Sequence, residues 1–187
     1  MGGLTPPGSG DPYGPEDEFF SPIVVPDRPS FERDRRAVLR LLASGQVICR
    51  NRIARSYIES VLDDDDVAIW LVRDARRRIF GFALTVERED LVVLELICSH
   101  PRKGEGASLF RNVLAYSQQQ QKPLVLQAVN AKVALLYGTI ATDVGRPVHL
   151  ATEDDAPGPR LTPDDLQTNV LEGRVGAVDM IFPVLLT

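Results

Sequence analysis

The chain has 187 residues, 44% of them hydrophobic and 25% charged, which fits one folded domain with a substantial core. Its net charge of −5 is uneven: residues 1–30 carry five acids against one Arg (−4), residues 151–187 seven acids against two Arg (−5), and residues 31–150 fourteen acids against eighteen bases (+4). A mildly basic centre suits an anionic cofactor and is too weak to argue for nucleic acid.

Other classes drop out as easily. No run approaches the roughly 20 apolar residues of a membrane-spanning helix, and the N-terminus lacks the basic start and apolar stretch of a signal peptide. Two cysteines, Cys49 and Cys98, are too few for a disulfide framework, and Cys98 is expected to pack as a small hydrophobe. His100 and His149 stand alone, without metal-ligand spacing. The default expectation is a reducing, cytoplasmic compartment.

Residues 1–22, rich in Gly, Pro, Asp and Glu, read as a disordered acidic arm, with one domain over 23–187. Ser30 is placed to cap a helix running to about Ala43, with Val38, Leu39, Leu41 and Leu42 apolar. A second helix, about 51–62, puts Ile53, Tyr57, Ile58, Val61 and Leu62 on one side. Asp63 to Asp66 follow, as a solvated loop or as an attractive rim for a cationic substrate. Residues 67–73 and 79–88 read as strands joined by a charged turn, and 91–98 as a third strand, which predicts an antiparallel meander.

The period then switches. Pro101 breaks the third strand, Gly104 and Gly106 form a turn, and Leu109, Phe110, Val113 and Leu114 mark a helix from about 106 to 120. Lys122 and Pro123 stop it before a short strand, 124–129. Strand, helix, strand is a right-handed crossover, so strands 91–98 and 124–129 should lie parallel. Asn130 can cap a helix over 131–141, and 145–150 could be a strand. The acidic segment 151–174 reads as a loop insertion containing a capped turn at Thr162 to Asp165. Val175 to Thr187 reads as a strand interrupted by Pro183, hence an edge. The architecture is α/β (α+β), a mixed sheet with helices on its faces.

Three features could carry chemistry. The turn Arg102, Lys103, Gly104, Glu105, Gly106, Ala107, Ser108 leads from a strand into a helix N-terminus, where unpaired N–H groups and the positive dipole end can receive a pyrophosphate, with two cations alongside. Such turns also arise for steric reasons alone, and the spacing is not that of a nucleoside-triphosphate loop. Tyr137 is either a core aromatic or a phenol facing the cleft between the parallel strands. Glu95 is the one charge in an otherwise apolar strand, so it needs a cation, a hydrogen bond or a wet cleft.

Together these residues resemble the Gcn5-related N-acetyltransferase (GNAT) family, over about residues 30–150. The family's acetyl-CoA motif, Gln/Arg-x-x-Gly-x-Gly/Ala, falls on Pro101-Arg102-Lys103-Gly104-Glu105-Gly106; both glycines match and the first position is Pro. Its Asn after the fifth strand and its helix ending in Ala-x-x-Leu/Phe-Tyr match Asn130 and Ala134-Leu135-Leu136-Tyr137, while Ala141-Thr142 stands where a Gly-Phe pair is usual.

The resemblance implies a mostly antiparallel sheet flanked by helices, with two splayed parallel strands in the middle. It implies acetyl-CoA as co-substrate, no metal, and an amine acceptor, small and cationic or on a protein, in a monomer or homodimer that needs neither nucleic acid nor membrane. Cofactor contacts are expected from Leu96, Ile97, Cys98, residues 102–108, Asn130 and Tyr137. A bulge near Leu96 to Cys98 would splay the strands, and a backbone N–H of Ile97 or a neighbour would polarise the thioester carbonyl. Tyr137 would protonate the departing thiolate and Glu95 would take the proton of the amine, with Asp90 and His100 as alternates. The alternative is a catalytically weak or inactive CoA-binding regulatory module of the same fold. A further reading is an unrelated phosphate-binding α/β protein.

Overall fold

A computed structural model describes residues 26–45, 47–49, 55–74, 76–100, 105–173 and 176–186. The expected arm, 1–22, and Ile53 lie outside them. The elements in chain order are α1 (Phe31–Ser44), β1 (Ile48–Cys49), α2 (Arg55–Leu62), β2 (Val67–Arg73), β3 (Ile79–Glu87), β4 (Val92–Ser99), α3 (Glu105–Gln119), β5 (Leu124–Ala128), α4 (Ala131–Asp143), β6 (His149–Ala151), β7 (Pro157–Arg160), α5 (Pro163–Leu171) and β8 (Val178–Phe182). Among the described residues no helix is long and apolar enough to cross a membrane.

The meander is present: β2 pairs β3 and β3 pairs β4, both antiparallel. The crossover β4–α3–β5 is present too, and β4 runs parallel to β5. The sheet continues β5-β8-β6-β7, all antiparallel, so one parallel pair sits in the middle of an otherwise antiparallel sheet. This is the mixed, helix-flanked architecture that the sequence and its resemblance imply.

Each face of the sheet buries its own core. Under α3 and α4 lie Trp70, Leu94, Phe110, Leu114, Met180 and Phe182 with their neighbours. Under α1 and α2 lie Val38, Leu41, Ile58, Leu62, Phe82, Leu84, Leu96 and Cys98. β4 serves both faces by changing phase. Val92 and Leu94 point to the α3 side, whereas Leu96 and Cys98 point to the α1 side. A regular strand keeps alternate residues on one face; an inserted residue resets that alternation. Leu94 opposes Thr85 and Leu96 opposes Leu84, so Glu95 is the residue left over. The bulge therefore lies at Glu95, just before the Leu96 to Cys98 stretch where it was expected.

Several expectations are corrected. β8 is not an edge: it lies between β5 and β6, with Phe182 paired to Leu124. Pro183 sits one residue past the end of that ladder, so its missing N–H removes no ladder bond. Segment 151–174 is no plain loop. It forms β7 and α5, the helix opened by a capping box in which the Thr162 hydroxyl accepts from the Asp165 N–H and the Asp165 carboxylate accepts from the Thr162 N–H. Gly138 lets α5 lie on α4, since a Cβ there would collide with Leu166. Ser30 stands at the α1 N-cap without a side-chain capping bond.

Cys98 is fully buried as expected, but it forms a disulfide with Cys49. The two cysteines face each other in the β1–β4 ladder. Disulfides persist in oxidising surroundings, so the pairing removes the cysteine argument for a reducing compartment.

Arg146 is 4% exposed and forms no ion pair among the described residues. Its guanidinium donates to the carbonyls of Leu114, Phe182 and Pro183. It thus ties the end of α3 to the end of β8. Burial pushes its pKa down to about 10, which still leaves it a cation at neutral pH.

Candidate active site

The parallel ladder between β4 and β5 is short. Val92, Val93 and Leu94 pair with Leu124, Val125 and Leu126, and pairing stops there. The bulge at Glu95 turns β4 away from β5, which stays with β8 as far as Ala128. On its other edge β4 remains paired with β3 to Ser99. A wedge opens between the two parallel strands, and among the described residues the backbone edge of Glu95, Leu96 and Ile97 faces it without a partner strand. Such edges seek hydrogen-bond partners.

The wedge brings both expected catalytic residues together. Its walls are Leu94, Glu95, Leu96 and Ile97 from β4, Leu126 and Gln127 from β5, Val129, Val133 and Tyr137 around α4, and Cys49 from β1. Asn130 caps α4 through its side-chain oxygen, which accepts from the Val133 N–H at 3.0 Å. This fixes the start of the helix that carries Tyr137. The Tyr137 ring stacks on Phe110 with centroids 4.4 Å apart and planes 26° apart, so the ring is held from the α3 core.

Glu95 meets a residue that the sequence reading left on an apolar helix face. The Tyr57 hydroxyl donates to its carboxylate at 2.6 Å. That bond, then burial and the carboxylate charge, raise the Tyr57 pKa to about 12, so Tyr57 stays a phenol and a donor at any ordinary pH. Tyr57 is 43% exposed although Ile58, Val61 and Leu62 beside it are buried. An aromatic with a polar tip beside a buried helix face was the available signal.

Outside the wedge, on the same side as Tyr57 and Glu95, a cavity of about 610 Å³ is lined also by Gln127, Glu153, Asp155 and Asp179. Gln127 donates to Asp179 at 2.8 Å. No Lys or Arg is among the described lining residues. The run Asp63 to Asp66, by contrast, lies at the far end of the sheet, beside the start of β2, and is tied down by Arg35 and Arg88. It forms no rim to the wedge.

The remaining expected residues divide. Leu96 and Cys98 turn their side chains into the α1–α2 core, leaving only backbone for a ligand, while Ile97 faces the wedge. Arg102, Lys103 and Gly104 lie outside the described residues. Glu105 opens α3, and Ala107 and Ser108 stand in its first turn. Gly106 lies against the end of β4, where a Cβ would come 3.3 Å from Ser99 Oγ. His100 follows β4, its backbone N–H donating to the Phe80 carbonyl. Asp90 precedes β4 at the end opposite the wedge.

No family model and no curated protein matches the sequence. Solved structures do match in shape. The ribosomal-protein-S18-alanine N-acetyltransferase of Escherichia coli has a TM-score of 0.53 at 14% identity, over 88% of this chain and 94% of that one. An N-acetyltransferase from Staphylococcus aureus has a TM-score of 0.50 at 10% identity, over 87% and 96%. Identities this low speak for shape alone. With the short parallel ladder, the bulge and the element order, they establish that the chain has the GNAT fold.

Proposed function

We propose that this protein is an N-acetyltransferase that moves acetyl from acetyl-CoA to a primary amine by direct attack. The observation that carries the reading is the wedge after Leu94 and Leu126, walled by both Glu95 and Tyr137. The open edge of Glu95 to Ile97 can pair with the amides of an extended pantetheine arm as it would with a strand. The turn 102–108 would take the pyrophosphate at the start of α3. An unpaired backbone N–H of that edge would polarise the thioester carbonyl.

The amine would enter from the acid-lined cavity, whose carboxylates suit a cationic acceptor. Glu95 takes a proton from the ammonium, with Tyr57 holding the carboxylate. The free amine attacks the thioester carbon, the C–S bond breaks as Tyr137 protonates the thiolate, and the extra proton left on the new amide nitrogen passes through water to the Tyr137 phenolate. A phenol of pKa about 10 can donate to a thiolate of pKa about 8.5 without large cost.

Two measurements test this. A thermal-shift titration should give stabilisation by acetyl-CoA and none by NAD; a ligand at a hundred times its Kd adds about 2.7 kcal/mol. A panel of amines, followed by release of free thiol, should then give turnover that depends on the amine. Absence of any shift with acetyl-CoA would overturn the cofactor assignment. Binding without turnover for any amine would leave the catalytically weak CoA-binding module.

A further inference from the structure

The wedge is bounded in an unusual way. Past the last β5 pair at Leu94, no described residue pairs with Glu95, Leu96 or Ile97 on that edge of β4, and beyond them the edge is covered again. β1 pairs Cys49 with Cys98 and Ile48 with Ser99. Those two β4 residues already pair with Phe82 and Gly81 of β3. A strand has two edges, so β1 must occupy the edge that β5 has left. It lies across the path between the start of α3, where Gly106 meets Ser99, and the reacting end at Glu95. An extended arm running along β4 needs the same backbone groups that β1 uses. Cys49 is itself part of the wall of the wedge.

Among the described residues β1 is Ile48–Cys49. It is fastened here by a covalent bond, the Cys49–Cys98 disulfide. Cys98 is fully buried whereas Cys49 is partly exposed, so Cys49 is the more accessible side of the bond for an attacking thiolate.

We propose that β1 is a redox-fastened strap across the CoA edge: the disulfide-bonded protein excludes the pantetheine arm, and reduction by a dithiol frees the strap and admits it. In that step the dithiol gives two electrons and two protons, Cys49 and Cys98 become thiols, and the dithiol closes to its own disulfide. The proposal rests on the reading of the wedge as a CoA site. By linkage, CoA binding must favour the thiol form by the same factor by which reduction favours binding.

The test uses the full chain and S-ethyl-CoA, a thioether that can neither reduce a disulfide nor transfer an acyl group. Thiol titration of oxidised protein should count none, and of dithiol-treated protein two, since the chain has two cysteines. Calorimetric titration should give binding to the reduced protein that is tighter than to the oxidised protein, within the roughly 5- to 150-fold span of couplings between sites. Cys49→Ser should bind like the reduced protein with or without dithiol. A tenfold coupling should also shift the disulfide's midpoint potential by about 30 mV toward easier reduction at saturating S-ethyl-CoA.

Equal binding by oxidised and reduced wild type would overturn the strap and leave the CoA site standing. Two free thiols in protein exposed to an oxidant would overturn it as well. Failure of the oxidised, reduced and Cys49→Ser proteins alike to bind would overturn the CoA site itself, and the strap with it.

Discussion

The two faces of the sheet are built differently. The α3–α4 face holds the larger core, with Trp70, Phe110 and Phe182 fully buried, and Arg146 closes its end through three carbonyls. The α1–α2 face has the smaller core. There α1 is held to the end of α2 by Arg35–Asp63 and to β2 by Asp34–Arg73, and β1 is held to β4 by the Cys49–Cys98 disulfide. The proposed chemistry divides along the same line: Tyr137 stands on the heavy side, while Tyr57 and the strap belong to the light one. A site that must hold its acid still and open to its substrates is served by one fixed wall and one releasable wall.

The largest expected effect breaks the heavy wall. Phe110 is fully buried between Tyr137 and Phe182. Phe110→Ala should destabilise by about 3–5 kcal/mol in urea unfolding, whereas Leu41→Ala, on the light face and 8% exposed, should lie near the lower end of the usual 2–5 kcal/mol range. The reverse order would sink the comparison. Arg146→Met keeps much of the volume but leaves three carbonyls without their charged donor. It should cost about 3 kcal/mol by the same measurement, and a loss under 1 kcal/mol would mean that water replaces the guanidinium.

Next in size is the chemistry. Tyr137→Phe should lower turnover about a hundredfold while the thermal shift with acetyl-CoA persists. Glu95→Gln should lower it comparably and flatten the rise of rate with pH. Tyr57→Phe, on the light wall, should raise the KM for the amine about fivefold, the worth of one net hydrogen bond, and leave acetyl-CoA binding unchanged. If Tyr57→Phe weakened acetyl-CoA binding instead, the division of labour between the two walls would fail.

What the sequence made legible follows from range. The meander, the crossover β4–α3–β5 and the Asn130 cap are local, written in apolar periodicity and capping residues within a few positions of one another. Glu95 stood out because a lone charge in an apolar strand needs an explanation, and the bulge supplies it. The strap was hidden because Cys49 and Cys98 are 49 residues apart and nothing in β1 itself marks a strand. Pro183 signals an edge only if it lies inside the ladder, and the ladder of β8 ends at Phe182. The role of Arg146 is not legible in the sequence, because carbonyl acceptors leave no trace in side-chain patterns. The apolar spacing of α2 absorbs Tyr57 into a packing face and so conceals its polar role.

The smallest effect isolates electrostatics from both walls. Glu87, at the end of β3 away from the wedge, accepts from Lys122 Nζ and from the Tyr116 hydroxyl, each at 2.7 Å. The Lys122 bond, then that of Tyr116, hold its pKa below the ordinary 4.5, against the opposing pull of burial. A carboxylate with a lowered folded-state pKa stabilises the protein above its unfolded value and loses that contribution as pH falls through the folded one. Lys122→Met should therefore lower stability at pH 7 by less than about 1 kcal/mol, since both partners are partly exposed. The difference from wild type should shrink as pH drops below 4.5 and Glu87 takes up its proton. Urea midpoints at pH 7 and in steps down to about pH 2.5, nearly two units below the reference carboxylate value, read this directly. A difference that persists unchanged in acid would assign the loss to packing of the lysine stem. Because the pair is remote from Glu95 and Tyr137, turnover at pH 7 should not move; a fall in turnover would mean that the far end of β3 is coupled to the wedge through β4.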